Sequence, residues 1–190
     1  MQIPRLFMNR GHVKARLSYL QEVAVENMEP LKQINQASPD GTGELALLAR
    51  IRARASRISG AGVRLGIGDD CALIRPRNGE ELAVTTDLSI AGRHFQLEWH
   101  SPEVIGHRAL ARGLSDLAAM GARPMAAFLS LGIPPELARS PKKGGPWIDR
   151  FYNGLLRLAE QYKSPLAGGD FAESPIAVAD IVLIGAVRRG

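Results

Sequence analysis

Two glycines followed by two aspartates, Gly66-Ile67-Gly68-Asp69-Asp70, constrain this chain more than any other stretch. Neighbouring carboxylates repel, so the pair needs solvent or a cation, and a dication is its natural neutraliser. The glycines permit backbone angles that other residues avoid and leave room for a polyanion to approach the main chain. Three further segments repeat the theme: Thr85-Thr86-Asp87, Ser115-Asp116 and Gly168-Gly169-Asp170. Each puts a carboxylate directly behind a small or hydroxyl residue. Magnesium takes oxygen ligands and is usually held by a few carboxylates together with substrate phosphates. The four segments are therefore read as converging on one cluster of hard cations that holds a nucleoside triphosphate. Taken singly, each Gly-Asp or Ser-Asp pair is equally at home in a turn or a helix cap. Neither familiar phosphate cradle is present, since no G-x-x-x-x-G-K-[ST] occurs and Gly66-Ile67-Gly68 does not continue into G-x-G-x-x-G.

With 190 residues the chain has room for one domain and an appendage. The single cysteine, Cys71, excludes an internal disulfide framework and fits a reducing, cytoplasmic compartment. It reads as a small packing residue rather than a reactive thiol. The net charge of +5 comes mostly from scattered arginines, read as a solvated helix face; no nucleic-acid partner is expected, because no aromatic residues interleave with them. No apolar run reaches membrane-spanning length.

Residues 1–40 mix basic residues with short apolar pieces and read as a poorly ordered basic extension. The domain proper is expected over 41–190. Thr42 caps a first helix whose apolar side is Leu45, Leu48, Ile51 and Ile58. Ala72-Leu73-Ile74 and Leu82-Ala83-Val84-Thr85-Thr86 read as two strands of a hairpin turned at Asn78-Gly79. Ser101-Pro102-Glu103 starts a long helix that carries Ser115 and Asp116 and stops at Gly121. Met125–Leu131 is a buried strand, Trp147–Tyr162 an amphipathic helix, Leu166-Ala167 a short strand running into the third acid segment, and Ile176–Val187 a last long strand. The whole predicts an α+β domain with a mostly antiparallel sheet and helices packed on one face. The other face of such a sheet is exposed, and burying it in a homodimer is the simplest remedy.

These residues resemble a known family. Gly66–Ala72, Thr85-Thr86-Asp87, Gly92-Arg93-His94-Phe95, the run Leu114–Pro124 and Gly168-Gly169-Asp170 are similar, in order, to thiamine-monophosphate kinase, within the superfamily of aminoimidazole ribonucleotide synthetase. The resemblance implies transfer of the γ-phosphoryl group of ATP to thiamine monophosphate, giving thiamine diphosphate, with Mg2+ as cofactor and ATP as co-substrate. It implies the N-terminal domain of that fold, paired into a dimer. Asp70, Thr85, Thr86, Asp87, Asp116 and Asp170 would hold magnesium, with Asp69 and Ser115 as supporting neighbours. Gly169 and Asp170 would touch ATP, and His94 would contact thiamine monophosphate. No side chain is expected to act as a catalytic base, because positioning and charge neutralisation carry phosphoryl transfer.

The chain also departs from the family. A second α/β domain, which the family carries after this region, is not expected within these 190 residues, Phe171-Ala172 replace threonines, and the Lys142-Lys143-Gly144-Gly145 loop looks inserted. The resemblance therefore implies a truncated kinase with little activity alone. The alternatives are a non-catalytic, dimerising remnant that binds magnesium nucleotide, or a sister enzyme such as selenophosphate or aminoimidazole ribonucleotide synthetase.

Overall fold

Strand β3 (Glu80–Ile90) alternates exposed Leu82, Val84, Thr86 and Leu88 with more covered Ala83, Thr85, Asp87 and Ser89. Period-two alternation of this kind belongs to a strand with one covered face. Its partner is β6 (Val178–Arg188), antiparallel over the full length from Glu80↔Arg188 to Ile90↔Val178. Strand β4 (Arg123–Ile133) lies on the other side of β6, also antiparallel, and β5 (Leu166–Glu173) runs parallel to β4. The sheet order is β3–β6–β4–β5. It is thus a mixed sheet, with one parallel pair beside two antiparallel ones. A separate short hairpin joins β1 (Val63–Leu65) and β2 (Leu73–Ile74).

The computed structural model describes residues 44–58, 62–68, 70–139 and 146–190, with side chains from residue 49 onward. The chain divides into two compact units, Met1–Ala49 and Arg50–Gly190, and the sheet belongs to the second. The expected extension over 1–40, the cap at Thr42, Asp69 and the Lys142–Gly145 loop all lie outside the described residues.

Two sequence expectations need correction. The hairpin between Leu73-Ile74 and Leu82–Thr86 does not form: β2 pairs with β1, and β3 with β6. A two-residue strand offers an 11-residue strand few ladder bonds, whereas β6 matches its length. The third acid segment is not a turn after a short strand. Gly168-Gly169-Asp170 lies inside β5, where Gly169 has φ +146° and a Cβ would fall 1.9 Å from the Leu129 carbonyl oxygen. Only glycine lets β5 pass that close to β4.

Helix α1 (Glu44–Ala55) precedes the sheet; α2 (Pro102–Ala119), α3 (Pro135–Arg139) and α4 (Trp147–Gln161) complete the fold. Ser101 caps α2 by accepting from the Val104 N–H, and Pro102 occupies the first turn, where a missing N–H costs nothing. Ile105, Ala109, Leu110, Leu114 and Leu117 bury one side of α2. From α4, Phe151 and Leu155 are fully buried, and Trp147 stacks on Phe151 with ring centroids 5.4 Å apart. The two helices cross almost backbone to backbone. A Cβ on Gly106 would sit 2.0 Å from the Phe151 carbonyl oxygen, and one on Gly154 would sit 1.9 Å from that of Glu103. Arg150 locks the crossing by donating from Nε and Nη2 to the two Glu103 oxygens at 2.7 and 2.9 Å.

Replacing Gly154 with Ala forces the helices apart. Helix propensity returns about 1 kcal/mol, while overpacking costs roughly 1–3 kcal/mol and the obstacle here is backbone. A urea titration should show a lower midpoint for Gly154→Ala; an unchanged or higher midpoint contradicts the close crossing. The Glu103–Arg150 pair gives a second expectation. The bonds from Arg150 pull the Glu103 carboxyl down from the ordinary 4.5 to about 2. Because the folded value is depressed, the pair's stabilisation is present above pH 4.5 and is lost as pH falls through about 2. Glu103→Gln should therefore flatten the fall of melting temperature across that window.

Candidate functional site

The acid segments fall into two groups set by the sheet. On the helix-covered face, two side-chain rungs tie β3 to α2. Thr85 donates its hydroxyl to Asp116 Oδ2 at 2.6 Å. Arg112 Nη2 meets Asp87 Oδ1 at 2.7 Å. Two residues along a strand span about 6.6 Å and four along a helix about 6 Å, so strand and helix keep step when they run in opposite directions. Placement on a regular helix makes Asp116 rigid, as its sequence context predicted.

Asp170 belongs elsewhere. The register aligns Leu88, Asp180, Ser130 and Asp170 as one row across the four strands. In β4, exposed Ser130 alternates with buried Leu129 and Leu131, so this row lies on the open face, and Thr86 shares that face. Asp170 Oδ1 accepts from the Phe171 N–H at 2.9 Å. The turn carrying Asp70 begins beside the same edge of the sheet: a Cβ on Gly66 would lie 3.9 Å from Ala167 of β5. Asp70 is exposed there, and the Arg52 guanidinium covers Gly68. Cys71, expected to pack, is exposed as well, because the turn projects from the sheet rather than into the core.

Thr85, Asp87 and Asp116 are thus brought together with Ser115 as their neighbour on α2, while Gly169 and Asp170 lie at the opposite edge of the sheet, beside which the turn leading to Asp70 begins. Among the described residues, no three His, Cys, Asp or Glu side chains stand close enough to hold a metal ion. The donor set of the first group still suits a hard cation in kind, being carboxylate and hydroxyl oxygen only. It is incomplete as a cage, since Asp87 is engaged by an arginine.

Beside this group opens a cleft of about 270 Å³ lined by Ser89, Arg93, His94, Phe95, Ile105, Arg108, Ala109 and Arg112. His94 Nδ1 accepts from the Ile90 N–H at 3.1 Å, which leaves the proton of the neutral ring on Nε2. Arg108 donates to His100 Nε2 at 3.2 Å. Three guanidinium groups and an imidazole around one opening make a site for an anion, phosphate above all. The sequence singles out His94 within Gly92-Arg93-His94-Phe95, whereas Arg108 and Arg112 were not recognised from it. The signal was present: Arg108, Arg112 and Asp116 recur every fourth residue and so share one face of α2.

The description "AIR synthase related protein, N-terminal domain" matches residues 68–187. The thiamine-monophosphate kinase of Synechococcus elongatus is 41% identical over 121 residues, 64% of this chain and 35% of that protein. The crystal structure of thiamine-monophosphate kinase from Stenotrophomonas maltophilia superposes with a TM-score of 0.61 at 41% identity, covering 77% of this chain and 43% of that one. The solved complex of AaThiL with AMPPCP and TMP gives a TM-score of 0.52 at 28% identity, covering 82% of this chain and 45% of that one. This chain therefore spans between 35% and 45% of the length of these relatives. The matched 68–187 segment is more than half of the chain and contains the two long helices and all of the main sheet but its last residue, Arg188, so the chain belongs to the AIR synthase related family through that family's N-terminal domain.

Proposed function

We propose that this chain supplies the magnesium- and ATP-binding half of a thiamine-monophosphate kinase, which moves the γ-phosphoryl group of ATP onto the phosphate of thiamine monophosphate. The observation that carries the reading is the Thr85–Asp116 and Asp87 oxygen set standing next to an arginine- and histidine-lined cleft. The kinase relatives and a neighbour solved with AMPPCP and TMP support the same assignment.

The nucleophile in such a transfer is already an anionic phosphate oxygen, so no strong base is required. The chain's own residues fit that demand. Asp87, Asp116 and Thr85 would hold Mg2+ on one group, with Asp70 and Asp170 on the other. Bound there, the metal supplies positive charge to offset repulsion between two polyanions. Arg93 and Arg108 would orient an acceptor phosphate in the cleft, and His94 Nε2 would donate to it. Thr86 and Gly169-Asp170 sit where a triphosphate could reach them from the open face. The chemistry belongs to the cytoplasm, where ATP is held.

The two acid groups stand at opposite edges of one sheet, roughly three strand spacings or ~14 Å apart. Pairing two copies through the open face would cover Thr86 and the Asp170 row, while Thr85, Asp87 and Asp116 stay under α2. That face is apolar where it is barest: Leu82 is 45%, Val84 60% and Leu88 46% exposed. A soluble chain rarely leaves such a stripe uncovered beside an unpaired strand edge.

Two measurements test the reading. Calorimetry on the purified chain should show ATP binding that depends on Mg2+ and weakens about tenfold or more in Asp116→Asn; binding indifferent to Mg2+ and to Asp116 overturns the assignment. Light scattering should give twice the chain mass for the wild type and the single mass for Val84→Lys. A wild-type monomer at high concentration removes the pairing from the proposal.

A further inference from the structure

The Arg112 side chain is tied down at three points around Asp87. Its Nη2 donates to Asp87 Oδ1 at 2.7 Å. Its Nη1 donates to the Leu88 carbonyl oxygen at 3.1 Å and to Ser89 Oγ at 3.2 Å. The acceptors are consecutive residues of β3, so the guanidinium fork is fitted to that strand end and not merely paired with a passing charge. The Asp87 side chain is 15% exposed and that of Arg112 40%. The same guanidinium lines the anion cleft.

We propose that Arg112 is a built-in cation on the Asp87 carboxylate, which competes with a divalent metal for that ligand. The inference rests on the reading of Asp87 as a metal ligand and adds a residue that sets the affinity. The guanidinium occupies one of the two Asp87 oxygens, and a metal ion on the same carboxylate is repelled by the like charge beside it. Metal binding at Asp87 therefore carries the cost of weakening the Arg112–Asp87 bond and of holding two cations on one carboxylate, while the bonds to Leu88 and Ser89 keep the guanidinium close. Removing the arginine removes that cost, and the free energy reappears as tighter metal binding. Arg112 becomes a brake on the site, holding Asp87 in order while no metal is present. The brake is of modest strength, because a partly exposed pair is weak compared with a buried one.

The test is Mn2+ alone titrated into the full chain, followed by calorimetry and by the loss of the free-ion paramagnetic resonance signal. Wild type, Asp87→Asn, Arg112→Ala and Arg112→Gln are compared. Arg112→Gln keeps a donor for the Leu88 carbonyl and covers the case in which the alanine variant fails to fold. Both arginine variants should bind Mn2+ roughly fivefold more tightly than wild type, and the gain should vanish when Asp87→Asn is added. If Asp87→Asn weakens binding but neither arginine variant strengthens it, the brake is refuted while the metal reading survives. If Asp87→Asn binds Mn2+ as wild type does, Asp87 is no ligand and both readings fall.

Discussion

The close crossing of α2 and α4 is the constraint on which the remainder depends. With Gly106 and Gly154 at the contact, each helix lies against the other's carbonyl groups, at distances where a methyl group does not fit. That proximity lets α4 bury Phe151 and Leu155 against α2, and it fixes α2 along its axis. The axis matters because α2 faces three ways. One side fills the core through Ile105, Leu110 and Leu117, a second meets α4, and a third presents Arg108, Arg112 and Asp116. A slip of α2 by one residue, about 1.5 Å, would take Asp116 out of reach of Thr85 and Arg112 out of reach of Asp87. The site therefore takes its precision from apolar packing elsewhere, as a rigid site must.

The electrostatics follow from the same arrangement. Thr85 and Asp116 satisfy each other, and Asp87 has its own cation. Neither carboxylate is left bare, so the folded chain avoids the repulsion that its acid content threatens. The compensation is local. Glu80 is another case: the Arg77 N–H and the Arg123 guanidinium hold its carboxyl below the usual range, and Arg123 clips the start of β4 to the start of β3. Arginines thus close the sheet at one end and occupy the site at the other. Their positions, more than the net charge, explain why the chain carries so many.

Much of this was legible in the sequence. The start of α2 could be read from Ser101-Pro102-Glu103, because a cap and an N-terminal proline act through neighbours in the chain. Strand β4 was legible as an apolar run, and α4 as a periodic one. What failed was non-local. Nothing in Asn78-Gly79 says that the strand after it prefers β6, about ninety residues on, to the strand before it. The parallel β4–β5 pair escaped for the same reason, and with it the placement of Asp170 inside a strand. The acid residues were identified by type, but their division between two edges of the sheet depends on register, which a single residue of slippage would reverse. Arg112 was missed because attention to acids passes over the cation one helical turn away.

That division of the acids also sets what each face of the sheet can offer a ligand. A single sheet gives every other residue to each face, so Thr85 and Thr86 cannot serve the same side. Thr85 and Asp87 go beneath α2, and Thr86 goes with Leu88 to the open face. A run such as Thr-Thr-Asp therefore equips both faces of one strand with hydroxyl or carboxylate oxygen, and the face it serves is decided by whatever packs above it. Under α2 those oxygens are fixed by partners at 2.6 and 2.7 Å. On the open face Thr86 stands among apolar neighbours instead, where a second surface is needed before its hydroxyl gains a partner. The helix-covered oxygens thus find partners within one chain, whereas Thr86 and Leu88 on the open face stay exposed.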